Sequence, residues 1–141
     1  MKIALFGAAK PAACDQIKLI LEKLDNVELI DGDVSFEGAD MAFSIGGDGT
    51  FLRTASKIGQ SGIPILGINA GRLGFLADVQ LDEIETAIPS IVRDAEYEVE
   101  YRNLLRLDIP ECQQPYRRFA QVQERLSLRL PAELGLFGGC P

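Results

Sequence analysis

A run of β-forming residues, Met41-Ala-Phe-Ser-Ile45, passes directly into Gly46-Gly-Asp-Gly-Thr50 and then into a helix-like segment, and this passage constrains the fold more than any other part of the chain. A short apolar run closed by glycine reads as a buried strand. Thr50 suits the N-cap of a helix over Phe51 to Ile58, and Gly59 stands where a helix usually stops. Strand, loop and helix in that order form the repeating unit of an α/β sheet. Glycines at 46, 47 and 49 let the backbone approach a ligand closely and adopt positive φ, so that free amides and a helix N-terminus can face an anion such as phosphate. Asp48 is negative and cannot itself attract phosphate. In such a loop it suits a different task, taking a proton from, or holding, a hydroxyl that attacks phosphorus. The plainer reading is that Asp48-Gly49 is only a tight turn.

The same rhythm runs through the first two thirds of the chain. Lys2-Ile-Ala-Leu-Phe6 before Gly7 predicts a first buried strand, and Pro11 to Leu24 predicts a helix with Pro11 in its first turn and Ile17, Leu21 and Leu24 in one apolar sector. Val27 to Ile30 predicts a second strand, closed by the turn Asp31-Gly-Asp33. Ile63-Pro-Ile-Leu-Gly-Ile68 predicts another buried strand, near 64–68, followed by the loop Asn69 to Gly74. Both glycine loops then stand at carboxyl ends of strands, where open α/β sheets bind ligands, and they are expected to line one crevice. Phe75 could stack on an adenine there; by pattern alone, packing of Phe75 and Leu76 on the sheet edge is the simpler expectation. Leu81 to Val92 is amphipathic, with Pro89 expected to disturb its last turn and Arg93-Asp94 as its exit. A domain boundary falls near Arg93: residues 1–93 form an α/β, Rossmann-like parallel-sheet domain. Residues 94–141 follow it, with Tyr97 to Ile109 strand-like and an irregular tail from Gln121.

Neither Gly-x-x-x-x-Gly-Lys-Ser/Thr nor Gly-x-Gly-x-x-Gly occurs in the first crossover, which argues against a P-loop kinase and an ordinary dinucleotide fingerprint. The chain contains no histidine, so serine–histidine and cysteine–histidine pairs, histidine metal sites and imidazole bases are excluded and acid–base chemistry falls to carboxylates. A net charge of −7 argues against non-specific nucleic-acid binding. Arg53, Lys57 and Arg72 nevertheless lie in or beside the glycine motifs. Cys14, Cys112 and Cys140 are odd in number and lack a Cys-x-x-Cys pair, which fits reduced thiols. No secretory leader pattern and no apolar run of membrane-spanning length is present, so the cytoplasm is expected.

Gly46-Gly-Asp-Gly-Thr50 followed by Ile63-Pro-Ile-Leu-Gly-Ile-Asn-Ala-Gly-Arg-Leu-Gly-Phe-Leu-Ala-Asp78 closely resembles the bacterial NAD kinase family, over Met1 to about Asp108. Diacylglycerol-type lipid kinases and phosphofructokinases share the glycine–aspartate loop, but Asn69 to Phe75 is similar to NAD kinases and not to them. The resemblance implies transfer of the terminal phosphoryl of ATP or polyphosphate to the adenosine 2′-hydroxyl of NAD, giving NADP. Magnesium or another divalent cation would bridge the donor phosphates, without a dedicated metal site on the protein. It implies Asp48 as the base, Gly46, Gly47, Gly49 and Thr50 holding phosphate or ribose, and Arg53 and Gly74 as further nucleotide contacts. Asn69 and Phe75 would line the adenosine pocket, and Arg72 would offset anionic charge. A homo-oligomer is implied for full-length members. The family's second domain contributes an Asn-Glu or Asn-Asp pair and a Thr-Pro-Thr-Gly-Ser-like loop, and neither is present; Gln121 to Glu124 stand where the first is expected. Residues 94–141 are thus implied to be an incomplete start of the family's β-rich second domain. Either the chain is truncated or out of frame from about residue 120, the expectation taken here, or it is a divergent short protein that completes its site with another chain. The strand Tyr97 to Ile109 is expected to lack partners and the chain to form little or no NADP. A catalytically inactive nucleotide-binding fragment and a lipid kinase with the same loop are the alternatives.

Overall fold

The continuous apolar runs become the central strands of one sheet. The structure, a computed structural model, describes residues 1–72, 74–102 and 126–129. In chain order these form β1 (Lys2–Phe6), α1 (Pro11–Leu21), β2 (Glu28–Asp31), β3 (Met41–Gly46), α2 (Asp48–Ile58), β4 (Ile65–Asn69), β5 (Val79–Gln80), α3 (Ile84–Val92), β6 (Glu98–Tyr101) and β7 (Leu126–Arg129). The strand order is β2-β1-β3-β4-β7-β6, with the short β5 also pairing with β4. β2, β1, β3 and β4 are mutually parallel, and Leu5 aligns with Phe43 and Phe43 with Leu66.

Because side chains alternate across a strand, a run apolar throughout must be covered on both faces. Ile3, Leu5, Met41, Phe43, Ile45, Leu66 and Ile68 join one core with Ala13, Cys14, Ile17 and Leu21 of α1 and Ile84, Ile88 and Ile91 of α3. Ala4, Phe6, Ala42 and Ile65 join a second core with Phe51, Ala55 and Ile58 of α2. Burying each such large aliphatic or aromatic side chain contributes about 1.5–3 kcal/mol. α2 is further registered on β3 by a buried bond in which the Thr54 hydroxyl donates to Ser44 Oγ at 3.1 Å.

The expected strands are present to within a residue, and the helices differ at their ends. α2 begins at Asp48, not Phe51, with Gly47 as N-cap and Thr50 inside the first turn. The Gly47 carbonyl already accepts from the Thr50 and Phe51 amides at 2.9 and 3.1 Å, so no hydroxyl cap is needed. α1 stops at Leu21, and the chain tightens into i→i+3 bonds from Lys23 to Ile20 and Leu24 to Leu21. α3 runs through Pro89 to Val92, and Leu81 to Glu83 form a turn ahead of it in which the Gln80 amide donates to Glu83 Oε2 at 2.9 Å. Gly59, at φ 58°, ends α2 as expected. The expectation of an unpartnered strand after residue 97 is corrected: β6 pairs antiparallel with β7 from Glu98↔Arg129 to Tyr101↔Leu126, and β7 meets β4 at Ile65↔Ser127. Backbone pairing supplied by residues with weak periodicity was invisible to pattern. The rest of the expected strand, 103–109, lies outside the described residues. No helix among the described residues is long and apolar enough to cross a membrane.

Candidate functional site

β3 and β4 are parallel neighbours, so the loops that leave their carboxyl ends are side by side, with Gly46 opposite Asn69 and the Ala70 amide donating to the Gly46 carbonyl at 3.2 Å. At the mouth of this pair the Asp48 carboxylate reaches from the first residue of α2 into the second loop. The Phe75 amide donates to Asp48 Oδ1 and Oδ2 at 3.1 and 3.0 Å, and the Leu76 amide donates to Oδ1 at 3.0 Å. A carboxylate has about four acceptor positions. Oδ1 is engaged twice and Oδ2 only by the shared Phe75 amide, which leaves Oδ2 the freer oxygen for a third party. The tight-turn reading of Asp48-Gly49 does not describe this arrangement, in which Asp48 clasps a loop 27 residues away.

Each glycine has its own reason. A methyl on Gly74 would lie 2.2 Å from Asp48 Oδ1, so Gly74 is what lets the second loop close over the carboxylate. A methyl on Gly46 would lie 2.4 Å from Thr50 Oγ1, so Gly46 makes room for the first turn of α2. Gly47 and Gly49 meet nothing within 4 Å, and Gly47 has ordinary extended geometry at φ −102°, ψ −169°. The expected positive φ at Gly47 and Gly49 is therefore corrected: neither is among the positive-φ glycines, and the open space over both is the feature that remains. The first amides of a helix lack intrahelical partners. With Thr50 and Phe51 turned back to Gly47, those of Asp48 and Gly49 stand at the open end of α2.

The other expected residues divide. The packing expectation holds for Leu76, which is partly buried against the second core, but not for Phe75, which is 96% exposed with its ring free beside Asp48. Asn69 is buried; its Nδ2 donates to Gln80 Oε1 at 3.0 Å and its Oδ1 accepts from the Gly71 amide at 3.1 Å, so it braces the second loop. Arg53, exposed on α2, donates from Nη2 to Thr50 Oγ1 at 3.2 Å. Arg72 is exposed in the second loop and takes no part in the hydrogen bonds to Asp48.

Two contributors escaped the sequence reading. Gly67, inside β4, would place a methyl 2.8 Å from Ala77 Cα; its bareness lets the segment 75–78 cross the strand, where the Asp78 amide donates to the Gly67 carbonyl at 3.0 Å. A glycine within an apolar strand signals such a close backbone crossing. Asp33, read only as part of a turn, accepts at Oδ2 from the Gly7 and Ala8 amides at 3.3 and 3.2 Å, and so ties the loop after β1 to the end of β2. A carboxylate closing the second strand of an α/β unit is a usable signal for such a tie.

Residues 25–97 match the family model of the ATP-NAD kinase N-terminal domain. An NAD kinase of Bacteroides fragilis is 58% identical over 69 residues, covering 49% of this chain and 23% of that protein. An NAD kinase of Porphyromonas gingivalis is 36% identical over an alignment covering 75% of this chain and 45% of that protein. The chain thus spans less than half the length of these relatives. Among solved structures, an NAD kinase from Archaeoglobus fulgidus in complex with ATP superposes with a TM-score of 0.62 at 25% identity, covering 82% of this chain and 50% of that one. A yeast NADH kinase complexed with NADH superposes with a TM-score of 0.56 at 13% identity, a likeness of fold.

Proposed function

Since the chain belongs to the NAD kinase family, we propose that residues 1–93 are the nucleotide-binding unit of a kinase that moves the terminal phosphoryl of ATP or polyphosphate onto the adenosine 2′-hydroxyl of NAD. The observation that carries this reading is the clasp of Asp48 by the amides of Phe75 and Leu76, with an exposed aromatic ring beside it. It joins a proton acceptor to an adenine-sized apolar surface at the carboxyl ends of two adjacent strands.

In this reading Asp48, through Oδ2, accepts the proton of the attacking hydroxyl as its oxygen bonds to phosphorus. The bond from phosphorus to the donor's bridging oxygen breaks, and that oxygen keeps the electron pair. The open backbone over Gly47 and Gly49 accommodates phosphate or ribose, and Thr50 offers its hydroxyl. Gly46 and Gly74 act through the geometry they permit, Asn69 by holding the second loop in place, Phe75 by stacking on adenine, and Arg53 and Arg72 by offsetting negative charge. The reading includes a divalent cation with the donor. Among the described residues no group of three His, Cys, Asp or Glu side chains gathers to hold a metal, so donor phosphates would supply most of its ligands, and it would neutralise their charge. A cytoplasmic enzyme, oligomeric when whole, goes with this reading.

Asp48→Asn tests it. In a protein that turns over NAD, the amide keeps shape and one acceptor, so NAD affinity is expected to stay within roughly tenfold while the rate falls by about 10²–10⁴. Calorimetry with NAD and an assay of NADP formation measure the two; near-parental turnover by Asp48→Asn removes Asp48 as the base. The alternative reading is an NAD-binding unit without turnover of its own. Binding of NAD with no NADP formed by the parent chain would decide for it.

A further inference from the structure

Among the described residues the buried polar side chains are Ser44, Thr54 and Asn69. The first two bond to each other, whereas Asn69 bonds to the second loop at Gly71 and to β5 at Gln80. A carboxamide carries an acceptor at one end and donors at the other. A backbone amide only donates, so Gly71 fixes Asn69 Oδ1 toward the loop, at 3.1 Å, and turns Nδ2 toward β5. Whatever stands opposite Nδ2 must then accept. Gln80 does so through Oε1 at 3.0 Å, which makes its oxygen the end of a one-way chain of bonds from loop to strand.

Gln80 is itself firmly held. It stands opposite Asn69 in the parallel pairing of β4 and β5. Its amide donates to Glu83 Oε2 at 2.9 Å, and the Glu83 amide donates back to the Gln80 carbonyl at 3.0 Å. This reciprocal pair opens the turn ahead of α3, whose Ile84, Ile88 and Ile91 lie in the core. The loop therefore leans on Gln80 from a rigid side. Asn69 and Gln80 pin the loop where it leaves β4, as Asp48 pins it at Phe75 and Leu76. The plainer reading is that Gln80 only satisfies a buried amide; removing it would then lower stability and leave the native loop where it is.

We propose that Gln80 is a positioning residue of the site: by accepting from Asn69 it holds the loop that follows in the place where the Phe75 and Leu76 amides meet Asp48. That this loop receives NAD rests on the kinase reading; that Gln80 positions it does not.

The test is the amide proton spectrum of the 141-residue chain, with NAD titrated in parallel. An amide bonded to a carboxylate resonates downfield, and the shift of a native resonance does not depend on how stable the fold is. Gln80→Leu removes the acceptor. The Phe75 and Leu76 resonances are expected to move upfield, although their amides bond to Asp48 and not to residue 80, and NAD affinity to fall about three- to tenfold. Gln80→Glu keeps an acceptor at the same reach, and should restore the parental resonances and most of the affinity. The same apolar change on the exposed Gln60, Gln60→Leu, should move neither resonance. Should Gln80→Leu fail to fold, Gln80→Asn, one methylene too short to reach Asn69, should move the two resonances the same way. Unmoved resonances in a folded Gln80→Leu or Gln80→Asn, or moved resonances with parental NAD affinity, would overturn the proposal. Moved resonances in a chain whose parent ignores NAD would sink the kinase reading alone. Parental NAD binding with unmoved resonances would sink the role of Gln80 alone.

Discussion

Gly74 and Gly71 lie three residues apart in one exposed loop and are equivalent by composition, yet the structure gives them opposite sensitivities. A methyl on Gly74 would sit 2.2 Å from Asp48 Oδ1, whereas one on Gly71 would meet only the end of the flexible Lys10 side chain, at 4.0 Å. Neither has positive φ, so the difference is one of space. Gly74→Ala is expected to break the clasp between Asp48 and the amides of Phe75 and Leu76, with about 1–3 kcal/mol lost in stability and NAD affinity reduced at least tenfold. Gly71→Ala is expected to stay within about 0.5 kcal/mol of the parent, as for an ordinary surface substitution. Denaturant unfolding and calorimetry on the two variants measure this. Equal effects at both positions would mean that the contact with Asp48 does not matter to binding.

Among the elements, those governed by local chemistry were legible and those governed by distant partners were not. β1, β3 and β4 could be read because a strand covered on both faces must be apolar throughout, and Gly59 because its φ of 58° favours glycine. The start of α2 was misjudged because the cap was sought in a hydroxyl, whereas the Gly47 backbone begins the turn three residues earlier. β5 has two residues and exists only because Gly67 lets its segment cross β4; the Asp48 clasp likewise joins residues 27 apart, and no window of sequence contains both. α1 adds a testable consequence of being buried. Its Cys14 lies in the core beneath Gly7, donating from Sγ to the Gly7 carbonyl at 3.2 Å, and burial pushes the thiol above its ordinary value of 9.0. In the window between that value and the raised one the folded chain keeps a proton that the unfolded chain releases. Stability should therefore fall as pH rises through the alkaline range above about 9, being fully present below it. Cys14→Ala is expected to flatten that slope whatever it does to stability at neutral pH. An identical slope in parent and variant, from denaturant midpoints between pH 7 and 10, would remove Cys14 as the cause.

For the whole molecule the open question is what closes the far side of β4. β3 covers one edge of that strand along its length, while the other edge is shared by β5 at Ile68 and Asn69 and β7 at Ile65. β4 also leads into the loop that holds Asp48, so the integrity of its outer edge and the geometry of the site are linked. A chain ending at residue 93 would keep both cores, α1 to α3 and both glycine loops, but would remove β6 and β7. The backbone of β4 near Ile65 would then be an unpaired edge on an otherwise apolar strand, and such an edge recruits another chain. The 1–93 chain is expected to fold, to bind NAD with close to the parent affinity, to lose roughly 5 °C or more in Tm, and to associate as its concentration rises. Light scattering across a concentration series and thermal unfolding of the two chains measure these effects. A 1–93 chain that stays monomeric with the parent Tm would mean that β6 and β7 do nothing to close the sheet. One that cannot fold would mean that the boundary near Arg93 cuts through a single cooperative unit, with the strand pair Glu98–Tyr101 and Leu126–Arg129 as integral to it as β1.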